Sequence, residues 1–220
     1  RIGQIGNELG FSLFVVGGFV RDLLLNRQIE DIDIVVEGDG IEFAKVYAQK
    51  EGCRINTHRK FGTAVIIFPD NFKIDVASAR LEYYTMPAAL PIVEKSSIKL
   101  DLARRDFTIN TLAINLNPDN FGTMIDYFGA TRDLKDKTIR IIHNLSFVED
   151  PTRIFRAIKF SNRFGFKIGK VTSNLIKNAI RIDCFKNLSG LRVLSELKQI
   201  FEEDNPIPAI RTMEAYGLEK

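Results

Sequence analysis

Residues 14–33 read FVVGGFVRDLLLNRQIEDID, and this stretch decides the fold. The apolar run at its start predicts a buried strand, and the pair Gly17-Gly18 predicts a turn. A short amphipathic helix with leucines on one side is predicted next. A second strand is predicted over 32–36, so the order is strand, turn, helix, strand.

Two acidic residues, Asp31 and Asp33, stand at the start of that second strand. Side chains on a strand alternate between its faces, so these two point the same way. Neighbouring carboxylates repel each other, and their burial is costly unless a cation lies between them. Mg²⁺ prefers such oxygen ligands together with substrate phosphates. The backbone N–H groups of Gly17 and Gly18 offer a phosphate site nearby.

A third acidic residue, Asp75, alternates with apolar residues over 73–77. It would complete the metal site if its strand lies beside the strand of Asp33, and the alternative is an exposed strand acid. The strand and helix predictions together indicate an α+β fold with a mixed or antiparallel sheet. The predicted strands of this part are 12–16, 32–36, 53–57, 63–68, 72–77, 111–116 and 138–142, and the predicted helices are 1–10, 18–25 and 39–50.

The later part of the chain is predicted to be helical and basic. Asp150 followed by Pro151 is a strong helix-start signal. Residues 153–192 hold ten Lys or Arg against one acid, Asp183, although the whole chain is only +3. Such an excess of positive charge favours a polyanionic partner, whereas the alternative is a solvated helical surface. Further helices are predicted at about 171–182, 187–203 and 206–216.

Composition excludes several classes of function. Only two histidines, His58 and His143, are present, so histidine-based zinc or triad chemistry has little support. No apolar run approaches the roughly 20 residues that cross a bilayer, so no membrane partner is expected. The two cysteines match no metal or redox spacing, which predicts a cytoplasmic protein.

Three motifs together resemble one family. GG-x-VRD-x-LL followed by Asp-x-Asp covers residues 17–33, RRDFTIN covers 104–110, and EDxxR covers 149–153. The chain resembles the class II tRNA nucleotidyltransferases and bacterial poly(A) polymerases of the DNA polymerase β nucleotidyltransferase superfamily. The resemblance implies a nucleotidyltransferase head domain over 1–144 and an all-α neck over 145–220. Residues 83–101 contain two prolines and irregular polarity, which predict a long loop, and the resemblance implies that this segment is flexible and lies near the active site.

The resemblance further implies a role for each motif residue. Two Mg²⁺ ions would be held by the catalytic carboxylates Asp31, Asp33 and Asp75. One ion would lower the pKa of a 3′-hydroxyl and the other would stabilise the leaving pyrophosphate. The triphosphate would be bound by Gly17, Gly18 and Arg21, and the nucleotide and its ribose by Arg105, Asp106 and Asn110. The incoming base would be read by Asp150 and Arg153, with Arg156 and Lys159 nearby.

The activity implied is template-independent addition of C, A or both to the 3′ end of tRNA from CTP and ATP. A poly(A) polymerase is the alternative; such enzymes usually carry a Gly-Arg-Arg/Lys-Phe string, which His58-Arg59-Lys60-Phe61 matches only in part. A second alternative is a non-catalytic RNA-binding relative of the same fold, against which the three carboxylates argue.

Overall fold

The computed structural model describes residues 1–29, 31–83 and 92–218. Contacts divide the chain into two compact units. The first unit comprises Arg1–Glu82, Val93–Arg105 and Ile109–Thr131, and the second comprises Tyr83–Ile92, Asp106–Thr108 and Arg132–Lys220. Among the described residues, no helix combines the length and the apolar character needed to span a membrane.

The first unit is built on a seven-stranded mixed sheet. In chain order its strands are β1 Ser12–Val16, β2 Asp33–Glu37, β3 Arg54–His58, β4 Thr63–Ile67, β5 Lys73–Ser78, β8 Ala113–Asn115 and β9 Met124–Ile125. Strands β6 Arg80–Tyr83 and β7 Ile92–Lys95 form a separate two-stranded sheet. The spatial order is β3-β4-β5-β2-β1-β8-β9. The pair β2 and β5 is parallel and the other neighbours are antiparallel. The predicted α+β fold with a mixed sheet is confirmed.

Helices cover this sheet because its strands bury side chains on both faces. The helices of this part are α1 Ile2–Glu8, α2 Gly18–Leu24, α3 Gly40–Glu51, α4 Ile98–Ala103 and α5 Ala130–Lys135, the last of which contains the division between the units. On one face Phe43 packs with Ile34 and Ile66, and on the other Val35 packs with Leu102. Asp39 caps α3 as expected, since its Oδ1 accepts from the backbone N–H groups of the first turn.

The second unit is mainly helical. Its helices are α6 Ser146–Glu149, α7 Thr152–Phe164, α8 Lys170–Arg181, α9 Gly190–Phe201 and α10 Ile207–Tyr216, and its two short parallel strands are β10 Thr138–Ile139 and β11 Lys167–Ile168. The central helix α7 buries Ile154, Ile158 and Phe160, and it ends where Gly165 adopts the left-handed conformation. Chain reversal at Gly165 lets β11 pair with β10, which lies before α7 in the sequence.

One expectation about the first unit was wrong. Residues 83–101 were expected to form a long loop, but strand β7 and helix α4 lie within this range; residues 84–91 are outside the described part. Ser97 occupies the N-cap position of α4, where serine is a preferred residue, but its side chain makes no cap hydrogen bond. The first N–H of the helix instead donates to Glu37 Oε1 at 2.6 Å, and Ile98 and Leu102 are buried in the core. A cap supplied 61 residues away is invisible to local sequence patterns.

Several predicted boundaries were also too wide. The strands predicted over 111–116 and 138–142 are confined to β8 and β10. Helix α7 begins at Thr152, so Pro151 is the capping residue rather than the first helical one. Differences of this size are ordinary at element ends, where pairing fades gradually. They do not move any predicted site residue to another element.

Candidate active site

The strand register brings two of the predicted catalytic carboxylates side by side. Strand β2 pairs with β5 in parallel, and Asp33 lies directly opposite Asp75. Asp31 lies two residues before β2, and the pairing continues toward it because Asp75 N donates to Ile32 O at 2.9 Å. All three acidic side chains are exposed. The condition set for Asp75 is therefore met: its strand is the neighbour of the strand that begins at Asp33.

These carboxylates interact electrostatically. Desolvation raises the pKa of Asp33 above its ordinary value, the guanidinium of Arg105 lowers it, and the negative charges of Asp75 and Asp31 raise it again. The pKa of Asp75 is raised by desolvation and then by Asp31, while Lys73 acts in the opposite direction. Repulsion between ionised carboxylates is the reason that Asp75 and Asp31 raise the pKa of Asp33 and that Asp31 raises the pKa of Asp75. This corner of the sheet therefore has a surplus of negative charge.

The donor chemistry fits a hard divalent cation. Three carboxylates offer oxygen ligands only, which Mg²⁺ prefers, and the surplus negative charge at Asp33 and Asp75 would be relieved by a cation. Within the described ranges, however, no three acidic, histidine or cysteine side chains form a ready-made metal cage. Assignment of the three as metal ligands thus stays a prediction.

The glycine turn lies at the same end of the sheet. Strand β1 runs antiparallel to β2 with Val15 opposite Ile34, so the residues after β1 approach the residues before β2. Gly17 has a φ of 65° and a ψ of −119°, a conformation that is open to glycine and strained for other residues. A Cβ at this position would also lie 2.5 Å from Arg105 Nη1. The turn therefore requires glycine for two separate reasons.

Arg21 is held next to this turn by protein groups. Its side chain is buried, its Nη1 donates to Asn110 Oδ1 at 2.6 Å, and its Nε and Nη2 donate to Asp22. The guanidinium lies close to the turn, since a Cβ on Gly18 would be 3.5 Å from Arg21 Nη2. The structure therefore brings together two predicted nucleotide-binding residues, Arg21 and Asn110, that lie 89 positions apart.

The RRD string is divided between the two units, with Arg105 in the first and Asp106 in the second. In the first unit Arg105 Nη2 donates to Asp101 Oδ2 at 3.2 Å and Nη1 approaches Asn110 O at 3.4 Å. In the second unit Asp106 is buried, and its Oδ2 accepts from Arg156 Nε at 2.8 Å and Nη2 at 2.7 Å. Both predicted nucleotide-binding residues thus have protein partners that fix their positions.

The EDxxR residues lie at the start of α7. Asp150 is in an extended conformation just before the helix, and its Oδ1 accepts from Thr152 N and Oγ1, which caps the helix. The same oxygen accepts from Arg192 Nη2 at 2.9 Å. Arg153 is buried, and its Nη1 donates to Ser146 Oγ at 2.8 Å. The carboxylate of Asp150 therefore caps α7 and pairs with Arg192, and the base-reading role of Asp150 stays a prediction.

Arg156 and Lys159 have protein partners that the sequence did not indicate. Burial opposes the charge of Arg156, but the carboxylate of Asp106 outweighs this and raises the pKa of the guanidinium. Lys159 is almost fully buried at 3% exposure, and its Nζ donates to Gln199 Oε1 at 2.6 Å. Burial lowers the pKa of Lys159, although the charge of Glu196, 3.6 Å away, acts in the opposite direction. Helix α9 therefore holds Lys159.

Sequence reasoning gave no role to three of these partners, Asp101, Arg192 and Glu196. Asp101 had a usable signal, since it precedes Arg104 and Arg105 by three and four positions, the spacing of helical ion pairs. Arg192 and Glu196 had none, because their partners are 42 and 37 residues away in the chain. Only the packing of α9 on α7 brings them together.

Comparison with known proteins places this geometry in a family. The sequence profile described as the poly A polymerase head domain matches residues 13–140. The chain is 60% identical over 217 residues to the A-adding tRNA nucleotidyltransferase of Geobacter sulfurreducens, covering 99% of this chain and 25% of the relative. The corresponding enzyme of Aquifex aeolicus is 44% identical over 205 residues, covering 93% and 25%.

Solved structures agree with the sequence comparison. An apo form of a CCA-adding enzyme superposes with a TM-score of 0.95 at 48% identity, covering 99% of this chain and 51% of that one. A tRNA nucleotidyltransferase complexed with a primer tRNA and an incoming ATP analog gives a TM-score of 0.89 at 40% identity, covering 99% and 61%. The chain spans a quarter of the length of the two curated relatives above. The poly A polymerase head domain profile covers more than half of this chain, and the chain therefore belongs to that family.

Proposed function

We propose that the protein to which this chain belongs adds adenosine nucleotides from ATP to the 3′ end of tRNA and releases pyrophosphate. The relatives from Geobacter sulfurreducens and Aquifex aeolicus are named A-adding tRNA nucleotidyltransferases, which favours A over C. A primer tRNA and an ATP analog occupy one of the similar solved structures. Because the chain spans only part of these relatives, the activity of the whole protein is an inference from similarity and from the site.

One observation carries the proposal: Asp33 and Asp75 lie in register beside the glycine turn, with Arg105 between the two features. Arg105 acts on the pKa of Asp33, and the same guanidinium would collide with a side chain at Gly17. Two carboxylates that suit a cation thus lie next to a glycine turn and a guanidinium, both of which suit phosphate. This is the combination that nucleotidyl transfer requires.

Nucleotidyltransferases of this family typically use divalent metal ions. We assign Asp31, Asp33 and Asp75 as the residues that would hold two Mg²⁺ ions. When bound, these ions supply Lewis-acid activation of the attacking hydroxyl and charge stabilisation at the leaving group. The chain itself contributes the placement of the carboxylates: the register of β2 and β5 fixes Asp33 opposite Asp75, and Asp31 lies two residues before β2.

The remaining motif residues position the nucleotide in this proposal. In the first unit the N–H groups of Gly17 and Gly18 and the guanidinium groups of Arg21 and Arg105 bind phosphates, while Asn110 orients Arg21 and contacts the ribose. In the second unit, the predicted ribose contact is Asp106, the predicted base-reading pair is Asp150 and Arg153, and the supporting residues are Arg156 and Lys159. Ion pairs with Asp106 and Glu196 support a role for Arg156 and Lys159 in holding this unit in shape.

The acceptor is the 3′ end of an RNA, which would be attracted by exposed basic side chains of the segment 153–192, among them Lys167, Lys170, Lys177, Arg181 and Lys186. A cytoplasmic location, expected from the sequence, remains part of this proposal. Poly(A) synthesis is the second candidate, since the matching profile is named for that enzyme. The two are distinguished by the number of nucleotides that the enzyme adds.

The test uses the full-length protein with a tRNA transcript that ends in CC and with each labelled nucleotide in turn. We expect transfer of a single A, and the double variant Asp31→Ala, Asp33→Ala should lose transfer by about a thousandfold or more while it still binds RNA. Asp119→Ala, an exposed acid of the first unit away from this corner, is the matched control and should keep full activity.

Each other outcome has a distinct meaning. A long A homopolymer would support poly(A) synthesis instead, and incorporation of C would exclude an A-only enzyme. Full activity in the double variant would refute the carboxylate assignment. A folded wild-type protein that transfers no nucleotide would refute the proposed function.

A further inference from the structure

The buried carboxylate of Asp101 has no role in the proposal so far. Asp101 lies in α4 with an exposure of 0%. Its Oδ1 accepts from Arg104 Nε at 3.0 Å, from Arg104 Nη2 at 2.7 Å and from Arg80 N at 3.3 Å. Its Oδ2 accepts from Arg105 Nη2 at 3.2 Å. One buried carboxylate therefore binds two consecutive arginines through different oxygens.

Of these two arginines, Arg105 lies against the glycine turn. Arg105 is held by Asp101 at Nη2, while its Nη1 lies toward Asn110 O and within 2.5 Å of the position that a Cβ on Gly17 would occupy. Its Nε is buried and makes no hydrogen bond in the described part of the chain. The end of the side chain is therefore fixed from two sides, by Asp101 and by the backbone around Gly17.

This arrangement has a physical consequence for binding. An arginine side chain loses rotamer freedom when it binds a ligand, and its planar fork binds phosphate more tightly when its orientation is set in advance. A buried carboxylate is costly unless it is paired, so its presence calls for an explanation. Arg104 alone could provide the pairing that stability requires. The additional contact from Oδ2 to Arg105 is the one that points toward the site.

We infer that Asp101 is a positioning residue for the nucleotide: it orients the guanidinium of Arg105 against the Gly17-Gly18 turn without touching the substrate itself. This role rests on the proposed function, in which Arg105 contacts the nucleotide. Asp101 acts on nucleotide binding through Arg105 and acts on stability through Arg104. The two effects can therefore be separated by variants at the two arginines.

The principal experiment measures steady-state A addition by the full-length protein, with ATP and RNA varied separately. Asp101→Asn keeps the shape of the side chain but removes its charge. We expect the KM for ATP to rise about tenfold, the size that loss of one charged hydrogen bond produces. The KM for RNA should be unchanged, since Asp101 acts through Arg105, which is assigned to the nucleotide. A general loss of structure would change both constants.

The matched control is Arg104→Gln, which removes the other arginine from the same carboxylate. We expect a lower melting temperature and an unchanged KM for ATP. A double-mutant cycle then isolates the pathway: in an Arg105→Ala background, Asp101→Asn should have no further effect on ATP affinity. If Asp101→Asn weakens ATP binding as much in that background as in the wild type, Asp101 does not act through Arg105 and the inference is wrong.

A second variant covers the case in which Asp101→Asn does not fold. Arg105→Lys leaves Asp101 paired with Arg104 and keeps the positive charge, but an ammonium cannot take the fork geometry. If Asp101 acts by orienting the guanidinium of Arg105, then Arg105→Lys should bind ATP as weakly as Arg105→Ala. Wild-type ATP affinity in Arg105→Lys would overturn it. Absence of transfer in the wild-type protein would refute the proposed function, whereas an active wild type with an unchanged Asp101→Asn would refute this inference alone.

Discussion

Two clusters of charged residues, one in each unit, differ in whether the chain balances their charges. In the first unit, Asp33 and Asp75 lie side by side, and the negative charges of Asp75 and Asp31 raise the pKa of Asp33. None of the ion pairs among the described residues uses either of them. In the second unit, Arg156 pairs with Asp106 and the buried Lys159 pairs with Glu196.

The difference separates carboxylates that repel one another, in the first unit, from ion pairs that the chain balances internally, in the second unit. Charges that the chain balances internally stabilise the fold, so loss of one partner destabilises the protein. Charges that the chain leaves in repulsion reduce stability, so their loss should stabilise it. Removing a charge should therefore raise the stability in the cluster of Asp33 and Asp75 and lower it in the cluster of Arg156 and Lys159. The following predictions test this difference.

The largest effect is expected for Arg156→Met. The change removes both guanidinium donors from Oδ2 of the buried Asp106 carboxylate, and such a loss costs about 3 kcal/mol of unfolding free energy. Urea denaturation monitored by circular dichroism would measure it. Arg132→Met is the control: it removes an exposed pair with Asp136 and should cost less than about 1 kcal/mol. Equal losses of unfolding free energy in the two variants would contradict the larger stabilisation expected from the Asp106 pair.

The next effect concerns the turn of the first unit. Gly17→Ala should cost about 2 kcal/mol, because alanine is strained at this φ and its Cβ would displace Arg105. Gly10→Ala provides the comparison, since Gly10 also has a positive φ but has open space around it, so only strain remains. Gly17→Ala should also weaken ATP binding, whereas Gly10→Ala should not. Identical thermal stability and ATP affinity in the two variants would contradict the close approach.

A similar cost, near 2 kcal/mol, is expected for Lys159→Met, which leaves acceptor groups of Gln199 and Glu196 unpaired. The double variant Lys159→Met, Glu196→Leu should recover most of this loss, because a buried ion pair can often be replaced by apolar side chains. Chemical denaturation of both variants checks the prediction. If the single variant is as stable as the wild type, Lys159 is not part of the internal scaffold.

The smallest effect has the opposite sign. Because the pKa of Asp33 is raised in the folded state, the folded protein holds this proton more tightly than the unfolded chain does. The penalty is absent below the ordinary pKa of 3.8 and is complete once the pH exceeds the folded-state value. Asp33→Asn should therefore raise the melting temperature at pH 7 by about 1–3 °C.

This gain should fade as the pH falls toward 3.8, where the wild-type carboxylate is protonated. It should also shrink when MgCl₂ is added, because a cation bound to the wild-type carboxylates would stabilise only the wild type. Asp119→Asn should show neither effect. A lower melting temperature for Asp33→Asn at pH 7 would mean that the first unit does compensate this charge, which would remove the contrast between the units.

Much of the fold was predictable because its signals are local. The strand, turn and helix of 14–25 follow from apolar periodicity and a glycine pair, and the start of α3 follows from Asp39. Helix α4 escaped prediction because its first N–H is capped by Glu37 from another strand. Local patterns could not have revealed that contact.

The candidate site divides in the same way. The amino-acid sequence shows which carboxylates, glycines and arginines are available to the site. It also predicts that Asp31 and Asp33 point the same way, because side chains two residues apart along a strand lie on one face. The tertiary packing, in contrast, places Asp75 opposite Asp33 and lets Asp101 orient Arg105 toward Gly17. The physical reason is that strand register and buried ion pairs depend on groups far apart in the chain, whose meeting is set by the packing of the whole core.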